Sequence, residues 1–574
     1  MDLISNECKR QWKSKPTKTT DMPIEDATAL IYNVNLSFNQ YQMIRTICLP
    51  HDIQFPTKNN VRSHKSLYHP PVSSFELKSE VNLITLLTET ATALIEISTD
   101  KLSKESDYKL TGKFGLDGSG AHKVRHQLID TNAATNETPH LNQEKLNSFV
   151  LTCYCPLQLS CNETILWTNP VPNSTAYTRP VSLMRAMEDR EVISVELDSH
   201  FDVIKQPFAI KLEDNTKVTC QTELSMVDGK MVGLLQGDTG AFCHYCHTTK
   251  TEANDIYHIT NGFKITKDYN TCKVAWEKLS SGEIGYNSKE RQGQCHEPII
   301  KGSLFCFSVL HFKLRSLDFV QKILYHLVAG IKTWTEAGNN QRFIAASKQE
   351  CINRIRASTG ILIDTPNDIG GNTNSGPMAD RFFSTNYRHE ICSLIKNNED
   401  RENYFKLLSL MNVMIKISQH VSTRRIKVEN VRHLGEEIML HLKNSFLNEK
   451  GESWINIIPS VHQFCAHCWE LFTINDCLSI AKWSECPVES WNKHVRSFQS
   501  GTGSRSQQVS VKENIHDIFV RMLVSSHPSI ASRRPRPSCS VCGEVGHTAR
   551  SKQHRATDAS LLTDDETQFE SFFE

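Results

Sequence analysis

Apolar residues follow two rhythms along this chain. From Tyr108 to Gly120 (YKLTGKFGLDGSG) they alternate with polar ones, the period of a half-buried strand, and the run ends in a Gly-rich turn at Asp117. Ser148–Cys155 and Glu163–Thr168 read as two more strands, and Leu183–Phe201 reads as a helix. A further β-type run from Lys217, with Val218, Cys220 and Leu224, leads to Asp228 in a Val-Asp-Gly turn. Upstream, Val81–Ile97 repeats its apolar residues at helical spacing. Across 247–460 the rhythm turns to serial helices at 307–328, 341–357, 383–397, 401–420 and 427–447, broken by a Gly/Asn/Pro loop at 365–377. Val461–Phe498 and a helix at 509–525 follow, then a basic loop and an acidic, Phe-bearing end.

The order strand, strand, strand, helix, strand is that of the first half of an RNase H-like fold, in which carboxylates near strand ends converge at one sheet edge. The expected class is therefore α/β: an RNase H-like mixed sheet interrupted by a large all-helical, zinc-bridged insertion, with a small zinc knuckle near the C-terminus.

Composition narrows the picture. At 574 residues the chain should hold two to four folding units, and 39% apolar with 22% charged residues fits a globular protein. No run approaches the ~18 apolar residues of a membrane span, and the N-terminus (MDLISNECKRQWKSKPTK) lacks a signal-peptide core. Lys plus Arg equals Asp plus Glu at 64 each, so a nucleic-acid partner would have to be met by local patches. The 19 cysteines, odd in number and partly in Cys-x2-Cys pairs, point to metal rather than disulfides.

Three constellations carry chemistry. Asp117 and Asp228 each close a strand-like run; with a third acid they would hold two divalent cations for phosphoryl displacement, although each alone also suits a turn beside Gly. Cys243 and Cys246 are half a zinc site. Either His462 and His467 or the interleaved Cys465 and Cys468 could complete it, and the latter pair also suits a core beside Phe464 and Trp469. Cys539, Cys542 and His547, with Gly543 and Gly546, read like a zinc knuckle whose fourth ligand would be His554.

In these residues the chain resembles the Transib transposases and the catalytic subunit of the V(D)J recombination-activating complex, from about residue 75 to 525. Five pieces in the same order carry the likeness: LDGSGAHK, SMVDGK with CHYCHTTK, HQFCAH, ESWNK and the terminal Cys/His segment. The resemblance implies a DDE recombinase with Asp117, Asp228 and Glu489 as catalytic acids on two Mg²⁺ or Mn²⁺. It also implies zinc on Cys243, Cys246, His462 and His467. Under a transposase reading Lys493 and Arg496, on the same helical stretch as Glu489, would face phosphates, although they also suit a solvated helix face. Glu485, one turn before Glu489, is the competing third acid, and Trp491 stands where members carry a small or basic residue.

The implied organisation is a basic, poorly ordered N-terminal region at 1–80 that begins the DNA-binding and dimerisation part, and a helical segment at 81–107. The core follows at 108–242, the zinc-binding insertion at 243–470, the rest of the core at 471–530 and the knuckle-like tail at 531–574. Members pair as homodimers on terminal inverted repeats of double-stranded DNA and form a hairpin intermediate, so a nuclear location and an accessory subunit are further expectations. Two other readings stand beside this one: a non-cutting, domesticated DNA-binding descendant, and a zinc-knuckle nucleic-acid-binding protein whose central region is structural.

Overall fold

The centre of the molecule is an eight-stranded mixed sheet. Its strands are β1 (Val72–Ser74), β2 (Lys78–Val81), β3 (Tyr108–Ser119), β4 (Phe149–Cys161), β5 (Thr164–Thr168), β6 (Arg179–Met184), β7 (Phe208–Lys211) and β8 (Lys217–Met226). Their order is β1-β2-β6-β4-β3-β8-β7, with β5 hairpinned onto β4. The computed structural model describes residues 20–51, 53–98, 107–120, 148–200, 204, 207–213, 215–238, 240–300, 308–333, 339–364, 374–421, 424–475, 479–502, 510–534 and 568–573.

Within this sheet only β3 and β8 run parallel; its other described pairs are antiparallel. That exception matters, because parallel neighbours end at the same edge. Val218 pairs with Tyr108 and Met226 with Gly115, so the chain leaves β8 toward Asp228 beside the end of β3 that holds Asp117. Gly115 permits this approach: a Cβ there would stand 2.1 Å from the Met226 carbonyl oxygen.

Helices cover the sheet. Leu83–Ser98 buries Leu86, Leu87, Ala91 and Leu94, and Cys486–Thr502 faces the sheet with Val488, Trp491, Val495 and Phe498. Those four residues recur at helical spacing, which leaves Glu489, Asn492, Lys493 and Arg496 on adjoining faces. Trp491 is 1% exposed, and its indole N–H donates to the Thr178 carbonyl at 2.9 Å. Trp491 therefore belongs to the core, and its presence leaves the solvent-facing side of that helix unaffected.

A second apolar core is built by Val309–Ala329, Asn339–Thr359, Gly376–Phe383, Thr385–Cys392, Asn398–Gln419, Val428–Asn444 and Pro459–Ile474. Phe312 stacks on Phe464 at 3.5 Å between ring centres, joining the first and last of these helices. Of the segment 383–397, read as one helix, only Thr385–Cys392 forms a helix of its own; a separate one, Gly376–Phe383, ends just before it at Ser384.

Other differences from the sequence pattern have physical causes. Leu183–Phe201 is not one helix: Arg179–Met184 is a strand paired on both edges, and only Arg190–Asp198 is helical. Asp189 sets that helix start by accepting from the Val192 N–H at 2.9 Å. Partners on β2 and β4, distant in sequence, decide the strand. The Pro-punctuated stretch before residue 70 yields Ile24–Asn33, Phe38–Cys48 and Lys58–His64, packed with Val520, Val524 and Ile530. Residues 1–19, with their basic cluster, and the tail residues Cys539, Cys542, His547 and His554 lie outside the described residues. Among the described residues, no helix is long and apolar enough to cross a membrane.

Candidate metal centres

The parallel ends of β3 and β8 bring two acids together, and a turn adds a third. One oxygen each of Asp117, Glu188 and Asp228 lies within 4.8 Å of the other two. Asp117 is 5% exposed, and its Oδ2 accepts from the Asn492 side-chain amide at 2.6 Å. Asp228 caps the helix Gly229–Gln236: its Oδ1 accepts from the Met231 N–H at 2.7 Å, which fixes the side chain and leaves Oδ2 for other use. Glu188 precedes the helix Arg190–Asp198 and meets the Lys230 ammonium at 2.5 Å. Gly118 admits it, since a Cβ at 118 would sit 2.6 Å from the Glu188 Cβ.

The helix Cys486–Thr502 supplies the remaining groups. Glu489 faces His311 Nε2 at 3.5 Å, and the Arg496 guanidinium donates to the Ser119 hydroxyl at 2.8 Å. Lys493 and Arg496 are both exposed. Glu485 is 2% exposed and differently engaged. It accepts from the Leu310 N–H at 3.1 Å, the His311 N–H at 3.3 Å, His311 Nδ1 at 3.2 Å and the Ser484 hydroxyl at 2.9 Å. Ser308 provides no side-chain cap to the helix Val309–Ala329, so Glu485 satisfies its free N–H groups from another element.

Electrostatics mark this cluster as crowded. Burial raises the Asp117 carboxyl well above the usual range, and Glu489, Asp228 and Glu188 add to the rise. Burial also raises Glu188 against the opposing bond from Lys230, and raises Glu489 against the pull of His311. For His311, burial works downward but the Glu485 bond and the charges of Glu485, Glu489 and Asp228 win, carrying it up to about 9. A histidine from the helical block is thus an imidazolium at neutral pH beside the sheet's acids. Oxygen donors alone, several of them anionic, suit a hard divalent cation.

The second cluster joins the two cores. Ligand atoms of Cys243, Cys246, His462 and His467 lie within 4.8 Å of one another, and all four residues are buried. Cys246 Sγ is 3.4 Å from His462 Nε2, close to the ~3.4–3.8 Å edge of a tetrahedron with zinc-length bonds. Glu470 Oε2 holds His467 Nδ1 at 3.0 Å, the carboxylate–imidazole pairing that orients a metal-bound histidine and leaves Nε2 toward the thiols. Phe263 and Phe242 pack against His462 at 4.6 and 5.4 Å. The rival ligands Cys465 and Cys468 lie buried in the helical core, their thiols pushed up by burial.

Glu188, His311 and Asn492 had no role in the sequence reading. Asn492 stood inside the ESWNK motif; Glu188 and His311 carried no local signal.

The fold and site define a mixed α/β protein with a carboxylate cluster at a sheet edge and a Cys₂His₂ cluster linking sheet to helices. No protein-family model matches the sequence, and no curated protein matches it. Among solved structures it is similar to a Drosophila P element transposase strand transfer complex. Identity is 10%, coverage 91% of this chain and 96% of that one, and the TM-score 0.32. A likeness of that grade carries no weight for activity.

Proposed function

We propose that this chain is a DDE-type DNA transposase or recombinase of the Transib and V(D)J recombination-activating kind, cutting and joining double-stranded DNA at terminal inverted repeats. In this reading the core is RNase H-like, the zinc-bridged helices are its insertion, and the protein works in the nucleus as a homodimer. The observation that carries the reading is the meeting of Asp117, Glu188 and Asp228 at one sheet edge with Glu489 electrostatically tied to them.

Asp117, Asp228 and Glu489 would hold two Mg²⁺ or Mn²⁺, with Glu188 beside them. Such ions, when bound, offset charge on the scissile phosphate and activate the attacking oxygen. The chain's own residues hold that arrangement in place. Asn492 fixes the Asp117 carboxylate, the helix cap fixes Asp228, and His311 holds Glu489 while keeping a positive charge near the acids. Exposed Lys493 and Arg496 lie on the same helix, suited to phosphate contacts that position DNA. Zinc on Cys243, Cys246, His462 and His467 would pin the His311-bearing block to the sheet, and a second zinc is expected on Cys539, Cys542, His547 and His554.

The test is nicking of supercoiled DNA with Mn²⁺. Asp228→Asn is expected to abolish nicking and retain DNA binding; nicking at the wild-type rate in that variant refutes the assignment. Binding without nicking by the wild-type chain selects the domesticated, non-cutting alternative.

A further inference from the structure

The last described residues, 568–573, pack their aromatic side chains into the molecule rather than leaving them exposed. Phe569, Phe572 and Phe573 are 2–4% exposed and belong to the helical core. Their seat is made by His420, Arg424, Ile426, Lys427 and Asn430. The Lys427 N–H donates to the Phe572 carbonyl at 2.8 Å, Ile426 forms a β-bridge with Phe573, and the Asn430 side-chain amide donates to the Ser571 carbonyl at 3.1 Å. Arg424 pairs with Glu570 at 2.8 Å and lies over the Phe573 ring at 4.6 Å. The His420 ring meets Phe573 and Phe569 at 4.6 and 5.5 Å.

Main-chain pairing, apolar seats for spaced aromatics and a basic residue over the acid are the features of a short-peptide recognition site. The segment joining it to the preceding described residue, Arg534, is 33 residues long (535–567). Arg534 is itself tied to Asn33 and Ser525. Thirty-three residues of sequence thus separate the aromatic segment from the preceding described residue.

We propose that the seat formed by His420, Arg424, Ile426, Lys427 and Asn430 is a peptide-binding site for acidic, Phe-x-x-Phe-Phe sequences, and that the chain's own segment 568–573 is its resident, displaceable occupant in cis. The seat is distant in sequence from the carboxylate acids and stands independently of the proposed activity.

The test uses a fluorescent peptide of residues 564–574 (DDETQFESFFE). A chain ending at residue 567 is expected to bind it saturably. The full chain should bind about 100-fold more weakly, because a tethered occupant at roughly millimolar effective concentration competes with a ligand of micromolar affinity. A peptide with Phe572 and Phe573 changed to Ala should bind at least about 30-fold more weakly, as loss of a central aromatic anchor does. Failure of the shortened, still-folded chain to bind, or equal binding by the full chain, overturns the proposal. So does peptide binding to the full chain that rises on dilution, which would assign the seat to a second copy's tail. If the shortened chain does not fold, a protease site placed within 556–562 of the full chain gives the answer. The cut tail should co-elute with the body until excess peptide displaces it, and a tail that elutes alone overturns the proposal.

Discussion

Replacing Asp228 with Asn separates two jobs of one side chain. The helix cap survives, because Asn accepts the Met231 N–H as Asp does; the charge does not. Asp228 shares a 4.8 Å neighbourhood with Asp117 and Glu188. Two unit charges at that separation repel by roughly 3 kcal/mol at an effective dielectric near 20. This is an upper figure, since burial and the neighbouring acids raise the Asp117 carboxyl well above its usual range and so oppose its charged form. Without added divalent cation, Asp228→Asn is therefore expected to exceed wild type in stability by about 1–3 kcal/mol. The pH dependence has a definite sign. A raised Asp117 means the folded chain holds a proton that the unfolded chain releases. Wild-type stability thus falls as pH rises from the ordinary carboxylate range through the folded value, and the variant, lacking one of the charges that raise Asp117, falls less. Mn²⁺ at about 100 times its Kd should then stabilise wild type by roughly 2.7 kcal/mol and barely affect the variant. Urea unfolding over a pH series from the ordinary carboxylate range upward, with zinc kept stoichiometric, measures all of this. A variant less stable than wild type without cation, or equal Mn²⁺ stabilisation of both, refutes the reasoning.

Three further outcomes are expected. Glu489→Gln should lose DNA nicking with little change in unfolding. Glu485→Gln should instead lower stability by about 1–3 kcal/mol through the weakened cap on Val309–Ala329, and paired nicking and urea assays decide between them. Cys246→Ser, or zinc removal by a chelator, should loosen the link between sheet and helical block, seen as faster amide exchange in Pro459–Ile474; X-ray absorption of the loaded protein should report two sulfur and two nitrogen ligands. Glu196 lies 2% exposed, bound by Lys78 at 2.8 Å, Thr152 at 3.0 Å and Ser182. Burial works against its charge, but bonds from His200, Lys78 and Ser182 prevail and hold it down to about 2. Its contribution, about 3 kcal/mol, is full above the ordinary carboxylate range and vanishes as pH falls from about 4.5 to about 2. Glu196→Gln should flatten the wild-type stability profile across that window, and parallel profiles would contradict the assignment.

What could be read from the sequence was local. Asp117 and Asp228 end alternating runs beside Gly, and the helical block announces itself by its period. Asn492 sat inside a motif already singled out, three residues after Glu489. Glu188 was invisible because it sits in an ordinary Met-Glu-Asp turn, and its approach depends on the missing side chain of Gly118, a contact across 70 residues of chain. His311 reads as one polar position on an amphipathic helix; only the fold presents it to Glu485 and Glu489. The end of the strand Arg179–Met184, from Leu183, was absorbed into a helix because its apolar residues suit either period, and partners on two other strands settle the matter. Trp491 looked like a surface departure, while the sheet it packs on comes from elsewhere in the chain.

Anomalous diffraction from Mn²⁺-soaked crystals, collected at the manganese and zinc edges, tests the central claim most directly. Manganese peaks are expected among the oxygens of Asp117, Asp228 and Glu489, with Glu188 adjoining, and a zinc peak among Cys243, Cys246, His462 and His467. Manganese bound elsewhere, with those acids bare in a chain that still cuts DNA, would contradict the account.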